Sequence, residues 1–197
     1  ICEAIISSGI KFNICIETHL KNIDEELAKI LKKAGIKLIY VGIESAVEEV
    51  RKDAKRTSDT NENQIEKVKY LEKNGIRVKS MYIIGMPADT EDTFKKTVDY
   101  AKKINSSYAQ FSVFTPYPGT PVFNEYKDKI TKNKYEDFTQ WQLVFRHQNL
   151  TEKDVLYLLN YSYKEYYLNH KWAIRFLFNK IKDFYENLHN RLFGFSR

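Results

Sequence analysis

Four places in this sequence set polar or turn-forming residues directly after short apolar runs: Glu17-Thr18-His19, Glu44-Ser45, Gly85-Met86-Pro87 and Thr115-Pro116-Tyr117-Pro118-Gly119-Thr120. Carboxylates placed this way bind ligand hydroxyls or ammonium groups, coordinate a metal, or act as a general acid and base. For Glu17 that reading stands level with a plainer one, a side chain that leaves its strand for water or pairs with Lys37 or Lys79. For Glu44, followed by Ser45 after a glycine-containing run, the site reading is the stronger. Gly85 reads equally as a close approach of backbone to a flat ligand and as turn chemistry before Pro87. His19 is more readily a solvated loop residue than a base. His147, His170 and His189 have no metal-ligand spacing, and Cys2 and Cys15 are too few and too far apart for a zinc or iron-sulfur motif.

The elements that must position these residues alternate. Lys11–Glu17, Lys37–Glu44, Val78–Gly85 and Ala109–Thr115 read as strands, and the segments between them carry helical periodicity. Strands joined through helices run parallel, so all four strand ends gather on one rim. Asn22 or Asp24 is expected to cap a helix whose Leu27, Ile30, Leu31 and Ala34 form one stripe, with Gly35 as its stop. A polar stretch, Lys52–Asn63, crosses the rim before a helix lined by Ile65, Val68 and Leu71 and ended by Asn74-Gly75. Asp89 or Thr90 caps Glu91–Ile104, with Phe94, Val98 and Ala101 inward. Ile1–Ser8 reads as the last turns of a helix stopped by Gly9. The chain thus reads as a fragment or a processed form.

Beyond Pro121 the pattern changes. A short helix and the aromatic-rich stretch Tyr135–His147 precede a capping-box start at Thr151 and Asp154, and long helical periodicity follows. The division expected is residues 1–130 as βα units and 131–197 as a mainly helical extension. In that extension Tyr161, Tyr163, Tyr166, Tyr167 and Trp172 stand near Lys164, Lys171, Arg175, Lys180 and Lys182. They read chiefly as packing residues, with an amphipathic face for an anionic membrane surface as the alternative. With 43% hydrophobic residues over 197 positions, the chain can bury a substantial core. No run of about eighteen apolar residues exists, which excludes a transmembrane helix. A formal charge of +6 without a concentrated basic patch gives a nucleic-acid partner little support. The scarcity of cysteine points to a reducing, cytoplasmic setting.

Taken in order, Ile16-Glu17-Thr18-His19, Ile23-Asp24-Glu25-Glu26-Leu27, Lys33-Ala34-Gly35, Val41-Gly42-Ile43-Glu44-Ser45, Ile84-Gly85-Met86-Pro87 with Thr90-Glu91-Asp92, and Thr115–Thr120 resemble the second half of a radical SAM core. The likeness is greatest to members that carry an N-terminal cobalamin-binding domain. It covers residues 1–121 strongly and the helical tail loosely. The resemblance implies an α/β fold, the last four strands of a six-stranded partial parallel βα barrel, followed by the α-helical extension. It implies S-adenosylmethionine and a 4Fe-4S cluster as cofactors, with reductive cleavage to a 5′-deoxyadenosyl radical, and cobalamin where the upstream domain is present. By the same resemblance Glu44 and Ser45 contact the ribose or methionine part of S-adenosylmethionine, and Gly85 with the backbone of Ile84 lies against adenine. Glu17 is a rim contact to cofactor or substrate, and His19, Thr115 and Tyr117 stand on the substrate side. The cluster's three-cysteine loop is absent here, so its ligands are expected outside this chain, and the chain alone is not expected to cleave the cofactor. His19 stands at a position that is often Arg in relatives, a departure that bears on any anion contact from that site. Implied partners are the upstream part of the same polypeptide, an electron donor and a small-molecule or lipid-like substrate. Methyl transfer, ring formation and other carbon-centred rearrangements all stay open as outcomes. Two further readings stand beside this one: a cofactor-free barrel hydrolase or lyase using Glu17 and Glu44, and a non-catalytic βα scaffold whose basic, aromatic tail binds a membrane or a protein.

Overall fold

Each helix preceding a strand ends on a residue that tolerates the left-handed region, and that local stop returns the chain to the sheet. In the computed structural model, which describes residues 1–53 and 61–193, Gly35, Gly75 and Asn105 take φ of 92°, 76° and 51° at these ends. They close α2 (Glu25–Lys33), α4 (Asn61–Lys73) and α5 (Glu91–Ile104). The helix starts are equally local. The Asp24 carboxylate accepts the Leu27 N–H at 2.7 Å, and Thr90 with Thr93 forms a capping box on α5. The leading helix α1 is Cys2–Ser7, and Gly9 beyond it has φ of 67°.

The four strands are β1 (Ile14–Thr18), β2 (Ile36–Glu44), β3 (Arg77–Ile84) and β4 (Tyr108–Val113), all parallel in the order β1-β2-β3-β4. They match the expected runs within about three residues at either end. The sheet's two faces differ because side chains alternate along a strand. Ile39, Val41, Ile43, Val78, Tyr82, Ile84, Ala109, Phe111 and Val113 are buried under the helices. On the other face Leu38, Tyr40, Lys79, Met81, Ile83 and Gln110 are only half-buried. A short helix that the sequence reading did not anticipate, α3 (Glu48–Asp53), follows β2. Residues 54–60, the centre of the polar stretch expected at the rim, lie outside the described residues.

After β4 come α6 (Pro121–Tyr126), an irregular aromatic segment, α7 (Glu152–Tyr167) and α8 (His170–Phe193). The Thr151–Asp154 capping box forms as expected. Helix α7 packs into the sheet's own core, with Val155, Leu158, Leu159 and Tyr166 in one buried cluster with β3, β4 and α5. That arrangement agrees with the reading of the tail tyrosines as packing residues. The Tyr163 hydroxyl donates to the Phe111 carbonyl and accepts the Phe111 N–H, both at 3.2 Å. Tyr167 does the same for Ala109 at 2.8 and 2.9 Å. Tyr166 is buried and donates to the Ser106 carbonyl at 2.6 Å, and Trp172 donates its ring N–H to Ser107 at 3.1 Å. One helical turn separates Tyr163 from Tyr167, about 6 Å, and two strand residues separate Ala109 from Phe111, about 6.6 Å. The helix therefore supplies partners to a sheet edge that would otherwise present bare backbone groups.

Candidate functional site

At the end of β2 the backbone enters a conformation that side chains disfavour. Glu44 has φ of 67°, and the β2–β3 register shifts between Gly42 and Glu44. A non-glycine residue there costs on the order of 1 kcal/mol and persists where the surroundings hold it, which is a mark of functional sites. The turn carries the carboxylate back over Gly42, where a β-carbon would stand 2.8 Å from Glu44 Oε1. Glycine at 42 thus makes room for an acceptor group at the mouth of the open sheet face. A carboxylate so placed suits ligand hydroxyls or an ammonium group.

Ser45 turns the other way. Its side chain is buried, sits 3.1 Å from the Thr97 hydroxyl and accepts the Val47 N–H at 3.2 Å. Its carbonyl accepts from the Arg51 guanidinium, and its N–H bonds the Ile43 carbonyl at 3.0 Å. With these groups engaged inside the protein, Ser45 anchors the turn that presents Glu44.

The turn after β3 is braced from both sides. Gly85 has φ of 73°, and a β-carbon there would point at Leu143 and Val155, 3.9 Å from each. Its glycine answers to backbone conformation and not to a ligand pressing on the missing side chain. The Ile84 side chain is buried and its carbonyl accepts the Phe114 N–H at 2.8 Å. Asp89 is buried, accepts the Met86 N–H at 3.0 Å and the Thr93 hydroxyl at 2.9 Å, and has its pKa raised to about 6 by burial. From the other side His147 Nδ1 accepts the N–H groups of Asn149 and Leu150 at 3.0 and 3.1 Å, which leaves Nε2 to donate to the Met86 carbonyl at 2.9 Å. Asn149 adds a bond to the Asp89 carbonyl at 3.0 Å.

The remaining expected residues spread along the rim. Glu17 is exposed and stands opposite Tyr40, four residues before Glu44. That register sets the two backbones about 13 Å apart along the strand, while the turn at Glu44 brings its carboxylate back over Gly42 toward the Glu17 row. His19 caps the Leu20–Asn22 turn through Nδ1, which accepts the Lys21 N–H at 3.2 Å. The Thr115 hydroxyl lies 3.0 and 2.9 Å from the Val113 and Thr139 carbonyls, while Tyr117 is exposed. The sequence reading missed Tyr40 and named Lys79 only as a partner for Glu17; both share a register row with Glu17, with Lys79 Nζ 5.1 Å from the Tyr40 ring centroid. Their signal was strand alternation, since Leu38, Tyr40 and Gly42 fall on one face, as do Lys79, Met81 and Ile83. His147 and Asn149 gave no local signal, because their bonds reach 61 and 60 residues back. Among the described residues no group of three or more His, Cys, Asp or Glu side chains is arranged to hold a metal; Cys2 is half-buried and Cys15 exposed.

Comparison with known proteins places this architecture. The family model described as the radical SAM superfamily matches residues 1–101. An uncharacterized methyltransferase of Pyrococcus horikoshii is 29% identical over 177 residues, 88% of this chain and 38% of that protein. The bacteriochlorophyllide d C-12(1)-methyltransferase of Chlorobaculum tepidum is 25% identical over 191 residues, 90% of this chain and 42% of that protein. The chain therefore spans about two-fifths of the length of these relatives. Among solved structures, the radical S-adenosylmethionine methyltransferase TsrM of Kitasatospora setae, with cobalamin and a [4Fe-4S] cluster bound, superposes with a TM-score of 0.57 at 21% identity. That overlap covers 64% of this chain and 27% of TsrM. The four-stranded parallel sheet with its helices is thus part of a radical SAM barrel.

Proposed function

Since the chain belongs to the radical SAM superfamily, we propose that it forms the S-adenosylmethionine-holding, C-terminal part of the catalytic barrel of a methyltransferase, with cobalamin as a further cofactor. The observation that carries this reading is the Glu44 carboxylate, held over Gly42 in a left-handed turn at the strand ends. When bound, S-adenosylmethionine supplies a sulfonium-activated methyl or adenosyl group. The residues present suit part of that molecule: Glu44 accepts hydrogen bonds from ribose hydroxyls or the amino-acid ammonium, and the braced Gly85–Asp89 turn gives a fixed wall beside it. They do not suit an iron-sulfur cluster, for which two distant cysteines are no ligand set. Cluster ligation falls to polypeptide outside residues 1–197. The Tyr40–Lys79 row on the open face and Tyr117 at the rim are the substrate-side groups of this proposal. Methyl transfer is favoured because three relatives are methyltransferases by name, against two named as anaerobic magnesium-protoporphyrin IX monomethyl ester cyclases.

Equilibrium dialysis of labelled S-adenosylmethionine against the whole polypeptide tests the reading. Glu44→Gln, which keeps size and removes charge, is expected to weaken binding at least about tenfold. Unchanged binding with Glu44→Gln removes Glu44 from the site and the proposal with it.

A further inference from the structure

Helix α8 has two sides with opposite fates. Its inner side lies across the N-terminal ends of β3 and β4: Trp172 and Arg175 donate to the carbonyls of Ser107 and Ser106, and Asp183 pairs with Arg77. Its outer side is apolar. Ile174, Leu177, Phe178, Ile181, Phe184 and Tyr185 are each between 46% and 68% exposed. At 100° per residue they fall in one arc of roughly 120°. Such a continuous ridge of large side chains facing water marks an interaction surface. It is also a different set of residues from the tail tyrosines, whose hydroxyls serve the edge of β4.

Charge selects the occupant. Between His170 and Tyr185 the helix carries Lys171, Arg175, Lys180 and Lys182 against the single acid Asp183, which already pairs with Arg77. Lys171 and Lys182 flank the apolar arc on one side and Lys180 on the other, with Lys180 Nζ 5.5 Å from the Phe176 ring centroid. A second copy docking by the same ridge would bring lysine rows against lysine rows. A surface of anionic headgroups over acyl chains matches both the apolar arc and its basic margins. No helix among the described residues is long and apolar enough to cross a membrane, so the geometry is that of a helix lying in the interface plane.

We propose that α8 is an interfacial anchor that docks this protein onto an anionic bilayer through its Ile174–Tyr185 ridge. Because α8 lies at the strand starts and the Glu44–Gly85 rim at the strand ends, docking leaves the rim open.

Flotation of the full chain with phosphatidylcholine vesicles, with and without phosphatidylglycerol, tests this. Binding is expected only with phosphatidylglycerol and is expected to weaken as salt rises through the physiological range. Phe178→Glu, at an exposed position that leaves the fold intact, is expected to lower vesicle partitioning at least about tenfold. Leu156→Glu, at an exposed position on α7, is expected to leave it unchanged. No flotation on anionic vesicles, or flotation indifferent to Phe178→Glu, overturns the proposal. So does a concentration-dependent dimer in sedimentation velocity that Phe178→Glu dissolves, since the ridge would then belong to a second copy.

Discussion

The carboxylate of Glu44 occupies the space that a side chain at Gly42 would fill, with a would-be β-carbon 2.8 Å from Oε1. This pairing joins two features of one strand, a glycine with no steric need of its own backbone and a non-glycine residue with φ of 67°. The strain at 44 and the vacancy at 42 explain each other if the carboxylate must stand at the rim.

Substitutions at these two positions are expected to separate stability from ligand binding. Glu44→Gly relieves the left-handed strain and should raise stability by roughly 0.5–1 kcal/mol while weakening S-adenosylmethionine binding. Gly42→Ala pushes on the carboxylate and should weaken binding with less than about 1 kcal/mol lost in stability. Urea denaturation and ligand dialysis on the same samples check both, and a Glu44→Gly protein less stable than wild type contradicts the strain argument.

Ser45 is expected to behave as an anchor. Ser45→Ala removes the partner of Thr97 and of the Val47 N–H in a buried setting and should cost about 1–2 kcal/mol of stability. Its effect on ligand affinity should be smaller than that of Glu44→Gln. The reverse ranking in dialysis would restore Ser45 as a direct ligand contact.

Asp89 links stability to pH. Burial raises its pKa from 3.8 to about 6, so the native protein holds this proton more tightly than the unfolded chain does. Its favourable contribution is complete below about pH 4 and is lost as pH rises through about 6, an effect on the order of 3 kcal/mol. The stability difference between wild type and Asp89→Asn should therefore shift against wild type between pH 4 and 7. A difference that stays flat over that range shows that Asp89 titrates normally.

The tyrosine ladder should be measurable group by group. Tyr167→Phe leaves the Ala109 N–H and carbonyl without their hydroxyl partner, and Tyr163→Phe does so for Phe111. Each substitution is expected to cost about 1–3 kcal/mol and to speed amide exchange at its own strand residue. Exchange at Ala109 that is unaffected by Tyr167→Phe would mean that the edge is protected by other groups.

Local sequence determined the alternation of strands and helices, the capping boxes at Thr90 and Thr151, and the stops at Gly35, Gly75 and Asn105. These follow from bonds within a turn or two of chain and from burial periodicity, both of which are legible in neighbouring residues. Tertiary structure decided which way the key side chains face. Ser45 turns inward because Thr97 lies across from it, 52 residues on, and Tyr163 meets Phe111 over the same separation. The aromatic periodicity of the tail was visible, but only the packing of α7 on β4 and of α8 under the sheet separated the buried tyrosines from the exposed ridge. Glu44 shows the same division. Its position after an apolar strand marked it as a site residue, while its left-handed backbone depends on a register shift between β2 and β3 that no short stretch of sequence encodes.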